Sequence, residues 1–448
     1  MQSRREFIKM SGLALGGVIL SSCSGSSSPS SRPMPNGFQF YRLINVGDAL
    51  PGGVTIVDLP GSAMISSVNT VFFHAKDSAG AIGCYELSVD YGGLIPAVTG
   101  IRKMVRDGDV LPDGQTVAKV SGGDINKAGS YASVLRLNDD NGNGSNSGLY
   151  LANTQSSMQK VVGYQDASPG VDGFIAQHMG DVDLHDNNDM LFTAHFGNQQ
   201  NGRPQAGLFH VPGGVVGSNS SLIASSEDLV PNADGIVKSF GLLDRNDGGN
   251  FVTQAVVQLN ATTAAKKSSA AVRQPMRATV LFAGNVYKPR ARTLLAGSSS
   301  MSVSKAVQPV TGEVIMGPRL GTTNNAAHVV HTSDDDMTLY YEGARVISSG
   351  GLSPRGNVIW SISPAVVGDD GLIYFSLFTD AGVELCIYNG IIMETVLGSG
   401  DIMPYDNYNT MLRFIFGAMN MQVDTHGRII LIGDYSNQTS AVVVGLPV

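Results

Sequence analysis

A short turn ending in a small residue, followed at once by an apolar run with aromatics, recurs seven times along this chain at nearly constant spacing. The turn residues are Asn69, Gly129, Asn188, Gly248, Gly312, Gly371 and Gly427, with steps of 60, 59, 60, 64, 59 and 56 residues. So steady a period means one supersecondary unit copied seven times. Copies that each expose an apolar face must stack on neighbours to bury it. A second marker keeps step with the first. Asp48–Pro51, Asp109–Pro112, Asp166–Pro169, Asp228–Pro231 and Asp401–Pro404 share the spacing D-x-x-P, Gly351–Pro354 is a degenerate copy, and the fifth unit near Gly297 lacks it. Each follows an apolar stretch such as Leu43-Ile44-Asn45-Val46, which reads as a strand closed by an Asp turn and a Pro that ends the ladder.

Within a unit, runs such as Tyr131–Leu137 and Gly148–Leu151 supply about four short strands, the content of one propeller blade. The 448 residues are covered almost completely by seven such copies, and 55 glycines with only 15% charged residues suit an all-β chain. The expected fold is therefore an all-β, seven-bladed β-propeller of about 60-residue repeats over residues 38–448. A pair of β-sandwiches and an open solenoid are the alternatives. Phe38-Gln39-Phe40-Tyr41 at one end and Ala441-Val442-Val443-Val444 at the other offer one strand each to close a ring. The insert Gln258–Arg277, rich in Ala, Lys, Ser and Thr, reads as a loop or short helix leaving the fourth unit.

The amino terminus reads as an address. Arg4, Arg5, Phe7 and Lys9 precede the apolar run Met10–Leu20 and then Ser21-Ser22-Cys23. The order S-R-R-x-F-x-K resembles a bacterial twin-arginine signal, and Leu20-Ser21-Ser22-Cys23 resembles a lipobox, which implies cleavage before Cys23 and acylation of that residue. Residues 1–22 are then the signal peptide, and residues 23–37, rich in Ser and Pro, a tether. The chain is expected to be exported and anchored by lipid to the bacterial membrane, the outer one where present, facing the periplasm or cell exterior. The turn N-x-x-G, as in Asn126-Lys127-Ala128-Gly129 and Asp424-Thr425-His426-Gly427, resembles the bacterial NxxGxxAF tandem-repeat (choice-of-anchor) proteins. That resemblance implies an architecture and an exported setting, and no reaction.

Net charge is −8, and removing residues 1–22, which carry three cations and one anion, leaves −10. Such a surface repels phosphate backbones, so nucleic acid is excluded as a partner. An envelope protein or a glycan is the expected ligand.

Where Asp, Gly or Pro recurs in every unit, turn geometry explains it, and function belongs to residues that break the repeat. Asp139, Asn141 and Asn143 have the spacing of the first half of a calcium loop, but Tyr150 stands where the bidentate Glu belongs, so a polar hairpin tip competes with a calcium site. The third unit gathers His178, Asp181, Asp183, His185, Asp186, Asp189, His195 and His210. Of these His178, Asp183, His185 and His195 are the candidate ligands for a transition metal, or acid and base groups. Ser333–Asp336 and Asp244-Arg245-Asn246-Asp247 read as solvated acidic loops. Cys84 and Cys386, on equivalent strands of non-adjacent units, are expected as free buried thiols. No catalytic residue is singled out, and the cofactor left open is calcium or a transition metal. The leading reading is a non-enzymatic binding module, and the alternative is a propeller hydrolase or metalloenzyme using the third unit's His/Asp group.

Overall fold

The structure, a computed structural model, describes residues 33–139, 141–153, 156–198, 204–226, 228–229, 235–246, 248–259, 277–287, 293–297, 314–320, 326–332, 336–342, 344–402, 412–416, 421–437 and 439–448. The export signal Arg4, Arg5, Phe7 and Lys9, the acylation residue Cys23 and the body of the insert, residues 260–276, lie outside them.

The described strands form separate antiparallel sheets arranged as a β-propeller. Six blades are each cut from one continuous stretch of chain. Blade two, for example, runs Val117–Ile125, Tyr131–Leu137, Asn146–Ala152 and Gln159–Gly163 from the inside outward. A further sheet closes the ring from both chain ends. Its outermost strand is Phe38–Asn45, paired antiparallel to Ser440–Pro447 with Phe38 opposite Pro447. The expectation of seven blades, each made from its own repeat, is thus corrected to six such blades, and the remaining sheet is shared between the two chain ends. The same sheet packs on both blade one and blade six, which rules out an open row, since a row would leave the faces of its two end sheets uncovered.

The core sits between sheets, not at the centre of the ring. Blade one packs on blade two through Phe72, Cys84, Tyr131, Leu135 and Tyr150, and on the closing sheet through Phe73, Tyr85, Ile432 and Val442. Phe72 and Tyr131 stack with centroids 5.5 Å apart across that first interface. Second strands such as Thr70–Asp77 are buried on both faces, which explains their continuous apolar runs where a half-exposed strand would alternate. Cys84 and Cys386 are free and buried in the third strands of blades one and six, and burial pushes both thiols up to about 12.

Both repeat markers are turn chemistry. The Asp of D-x-x-P accepts a backbone N–H three residues back: Asp48 from Asn45, Asp109 from Arg106, Asp166 from Gly163, Asp228 from Ser225 and Asp401 from Gly398, at 2.7–3.0 Å. The other marker is the hairpin joining the innermost strand to the second. Its fourth residue takes the left-handed conformation, with φ of 65° at Asn69, 80° at Gly129, 60° at Asn188, 75° at Gly371 and 71° at Gly427. Only Gly, and next Asn, enters that region cheaply.

Two copies differ from the sequence reading. In blade four the left-handed residue is Gly249 (φ 73°), not Gly248, and the capping Asn is Asn246, whose Oδ1 accepts the N–H groups of Gly248 and Asn250. In blade five Leu320 pairs with Ala326 as Val423 pairs with Ile429, and residues 321–325 between them lie outside the described residues. Gly312 lies outside the described residues, ahead in sequence of that blade's first strand, Val314–Leu320.

Candidate functional site

The innermost strands surround a central channel with a cavity of about 1240 Å³. Because in all seven sheets the last inner residue pairs with the residue six positions on, strand register identifies equivalent channel positions without ambiguity. The residue one step before the last inner pair is Met64, Asp124, Asp183, Asp244, Arg319, Val366 or Gln422, and all of them line the cavity. Three consecutive blades therefore place a carboxylate where other copies carry Met, Val or the uncharged Gln422, and the next blade places a guanidinium.

These side chains are held. Asp124 Oδ2 accepts the N–H of Leu184 in the next blade at 2.8 Å, and its Oδ1 accepts Gln422 Nε2 of the closing sheet at 3.4 Å. Gln422 Oε1 in turn accepts the N–H of Ile65 at 3.1 Å. Arg319 Nη1 lies 3.7 Å from Asp244 Oδ1. Burial and the neighbouring Asp183 push the Asp124 carboxyl up to about 7. Burial likewise raises Asp183, against the pull of Arg245, and Asp181. The pair Asp124 and Asp183 thus retains a proton above the ordinary carboxylate range.

Arg245 breaks the repeat a second time. At the last inner position the other sheets carry Ile65, Ile125, Leu184, Leu320, Val367 and Val423. Its side chain is only 1% exposed, with Nε 3.5 Å from Asp183 Oδ1 and Nη2 donating to the Asp189 carbonyl at 2.9 Å. Asp189 Oδ1 accepts the N–H of Gly213 at 2.8 Å and Oδ2 accepts the Tyr287 hydroxyl at 3.1 Å. His210 Nε2 stands 3.6 Å from that oxygen, and burial, reinforced by Arg245, lowers its pKa. Asp244 and Arg245 are therefore the end of an inner strand, not the solvated loop expected from their sequence.

The candidate metal residues are not gathered into one centre. Asp139 turns both oxygens into its own loop, Oδ1 accepting the N–H groups of Asn141 and Asn143 at 2.9 and 2.8 Å and Oδ2 the Ser145 hydroxyl at 2.7 Å. His178 and His195 are cross-strand partners on the channel wall with perpendicular rings 6.3 Å apart. Burial, then the nearby His178, lowers the His195 pKa. His185 opens a hairpin, its N–H donating to the Asp189 carbonyl, while Asp183 faces Arg245. Among the described residues no three His, Cys, Asp or Glu side chains converge as metal ligands. Of the residues singled out in the third unit, the structure brings Asp181, Asp183, Asp186, His178, His185 and His195 to the channel and leaves Asp189 and His210 in the adjoining buried cluster. The ring members Asp124, Arg319 and Gln422 were missed, and their signal was their place relative to each hairpin.

A family of unknown function (DUF7453) matches residues 92–273, less than half of the chain. No curated protein matches it. Among solved structures it is similar to a puromycin hydrolase mutant complexed with PGG, at 13% identity over 86% of this chain and 52% of that one, with a TM-score of 0.48. The chain thus spans about half the length of that hydrolase. It is also similar to the β-propeller domain of the Trilobed protease from Pyrococcus furiosus, at 9% identity over 92% and 94% of the two chains, with a TM-score of 0.44. A third likeness is to the α-L-arabinanase of Penicillium chrysogenum complexed with arabinobiose, at 10% identity over 75% and 96%, with a TM-score of 0.39.

Proposed function

We propose that this chain is an exported, lipid-anchored lipoprotein of the bacterial envelope whose propeller is a non-enzymatic binding module. The observation that carries the reading is the run Asp124, Asp183, Asp244 and Arg319 at one repeated channel position. Replacing apolar residues by charged ones at the lip of a cavity costs desolvation that the few contacts of Asp124, Asp183 and Arg319 with adjoining blades offset only in part, so a ligand is its natural use. Fixed carboxylate acceptors beside a guanidinium donor suit a polyhydroxylated ligand, and a wall glycan fits that chemistry better than an apolar surface of a protein. Calorimetric titration with soluble peptidoglycan fragments tests this. Binding weakened at least tenfold by Asp183→Asn and by Arg319→Ala is the expected result, and binding unchanged by both variants would remove the channel as the site.

The alternative, a hydrolase, draws on one feature, the proton retained by the Asp124 and Asp183 pair, since a raised carboxyl is what a general acid needs. Incubation with the same fragments separates the two readings: an intact glycan after prolonged contact supports a binding module, and cleavage abolished by Asp124→Asn supports an enzyme.

A further inference from the structure

The most exposed large apolar side chain described in the protein is Leu94, 97% accessible, and its neighbour Ile95 is 59% accessible. They form the tip of the hairpin between the third and fourth strands of blade one, Ile82–Asp90 and Ala97–Arg106. The corresponding hairpin of blade six, between Gly382–Tyr388 and Met393–Gly398, carries Ile391 and Ile392, 63% and 52% accessible. Blades one and six are the two neighbours of the closing sheet.

Strand direction puts both tips on one face. Asn69, in the inner hairpin of blade one, accepts the N–H of Val89 just before the Leu94 tip, so the two hairpins lie at the same end of the blade. The amino-terminal strand begins at that end too. Phe38 pairs with Pro447, the Val448 N–H donates to Gly37, and the Tyr41 hydroxyl reaches the Leu94 carbonyl at 3.3 Å. The chain thus enters the propeller between two pairs of exposed aliphatic residues.

We infer that these two hairpin tips dock the propeller on the lipid bilayer that holds its acylated amino terminus. This rests on the lipid-anchor reading. The tips are convex and aliphatic, a shape that enters a fluid acyl boundary without a complementary groove, whereas protein hot spots favour Trp, Tyr and Arg. A tether over residues 23–37 reaches about 50 Å when extended, at about 3.3 Å per residue, so it does not fix the body against the surface by itself. The paired tips supply that contact. The exposed aliphatic residues of the opposite face, such as Val110 and Leu352, are single members of the inter-blade turns. They recur with the repeat and do not flank the tether.

The full-length chain purified from membranes is placed in phosphatidylethanolamine–phosphatidylglycerol vesicles containing spin-labelled lipid. A fluorophore is attached at Leu94→Cys or Ile391→Cys, with Leu352→Cys on the opposite face as reference. Quenching at least twofold stronger at 94 and 391 than at 352 is expected, and Ile391→Ser/Ile392→Ser should weaken it at 94. Equal quenching at all three sites, or strongest quenching at 352, overturns the docking face. Mass analysis of the Cys23 peptide judges the anchor separately. An acylated Cys23 without quenching at 94 and 391 overturns docking and leaves the anchor standing. An unmodified Cys23 with quenching in vesicles supports docking and removes the anchor, and an unmodified Cys23 without quenching overturns both.

Discussion

Asp124→Asn isolates the channel carboxyl that keeps its proton. In the folded chain burial and the charge of Asp183 raise this group to about 7, whereas an unfolded aspartate titrates near 4. A group that holds its proton more tightly when folded stabilises the fold while protonated. That contribution is complete below about pH 4, declines as pH climbs through the interval, and is gone above the folded value. Three pH units at 1.36 kcal/mol each set a ceiling of about 4 kcal/mol, and solvent screening in an open channel lowers the expectation to roughly 1–2 kcal/mol. Asn keeps a carbonyl oxygen for the Leu184 N–H and does not titrate, so the fold is retained. Urea unfolding followed at pH 4.5 and pH 8 should show wild type losing roughly 1–2 kcal/mol more than the variant across that span. Two chains that lose stability in parallel would refute the assignment of a bound proton to this carboxyl.

Two further perturbations test the frame around the site. Arg428 is 8% exposed, paired with the 1% exposed Asp424, and donates to Asn69 Oδ1 of blade one at 2.8 Å, so it locks the closing sheet to its neighbour. Arg428→Met should cost about 3–5 kcal/mol in denaturant unfolding by stranding the carboxylate, and Asp424→Asn/Arg428→Met should recover most of it. A double variant no better than the single one would show that the geometry of the guanidinium matters more than its charge. In blade four, Gly249→Ala puts a Cβ into a left-handed residue, 2.5 Å from the Tyr287 ring, and should destabilise by about 1–3 kcal/mol. Gly248→Ala, whose backbone is not left-handed and whose nearest neighbour is the Asn250 side-chain amide at 3.2 Å, should cost clearly less, and the reverse order would restore the other register.

What was legible in the sequence is what is decided locally. The Asp of each D-x-x-P loop closes a hydrogen bond three residues away, and the left-handed hairpin residue needs Gly or Asn wherever it falls, so both leave marks that recur with the period. Counting the period fails where length varies between the marks. The insert near 258–277 lengthens blade four and carried the count to Gly312, while register places the fifth hairpin after Leu320. The channel ring escaped for another reason. Asp124 and Asp244 look like ordinary turn residues, and Arg319 like an isolated cation, until strand pairing shows that all occupy one position. The Asp and Asn around Arg245 in sequence suggest solvation, yet the fold buries it against Asp183 and Asp189.

A ring of near-identical modules has no intrinsic front or back around its circumference, so any asymmetry must be written by residues that depart from the repeat. Two departures favour opposite arcs, although the corresponding hairpin of blade three also exposes Val215 and Val216. Blades two to five carry Asp124, Asp183, Asp244 and Arg319 on the channel wall, whereas blade six, the closing sheet and blade one present Val366, Gln422 and Met64 there. It is this second arc that receives the amino-terminal strand and bears Leu94, Ile95, Ile391 and Ile392 at its hairpin tips. A body resting on the apolar arc would tilt the ring and turn the charged arc of the channel away from the surface. The two proposals therefore constrain each other. A ligand site on blades two to five stays accessible only if contact is confined to the arc beside the tether, so a label in the inner hairpin of blade three, at Asp186→Cys, should remain unquenched in the vesicles that quench a label at 94.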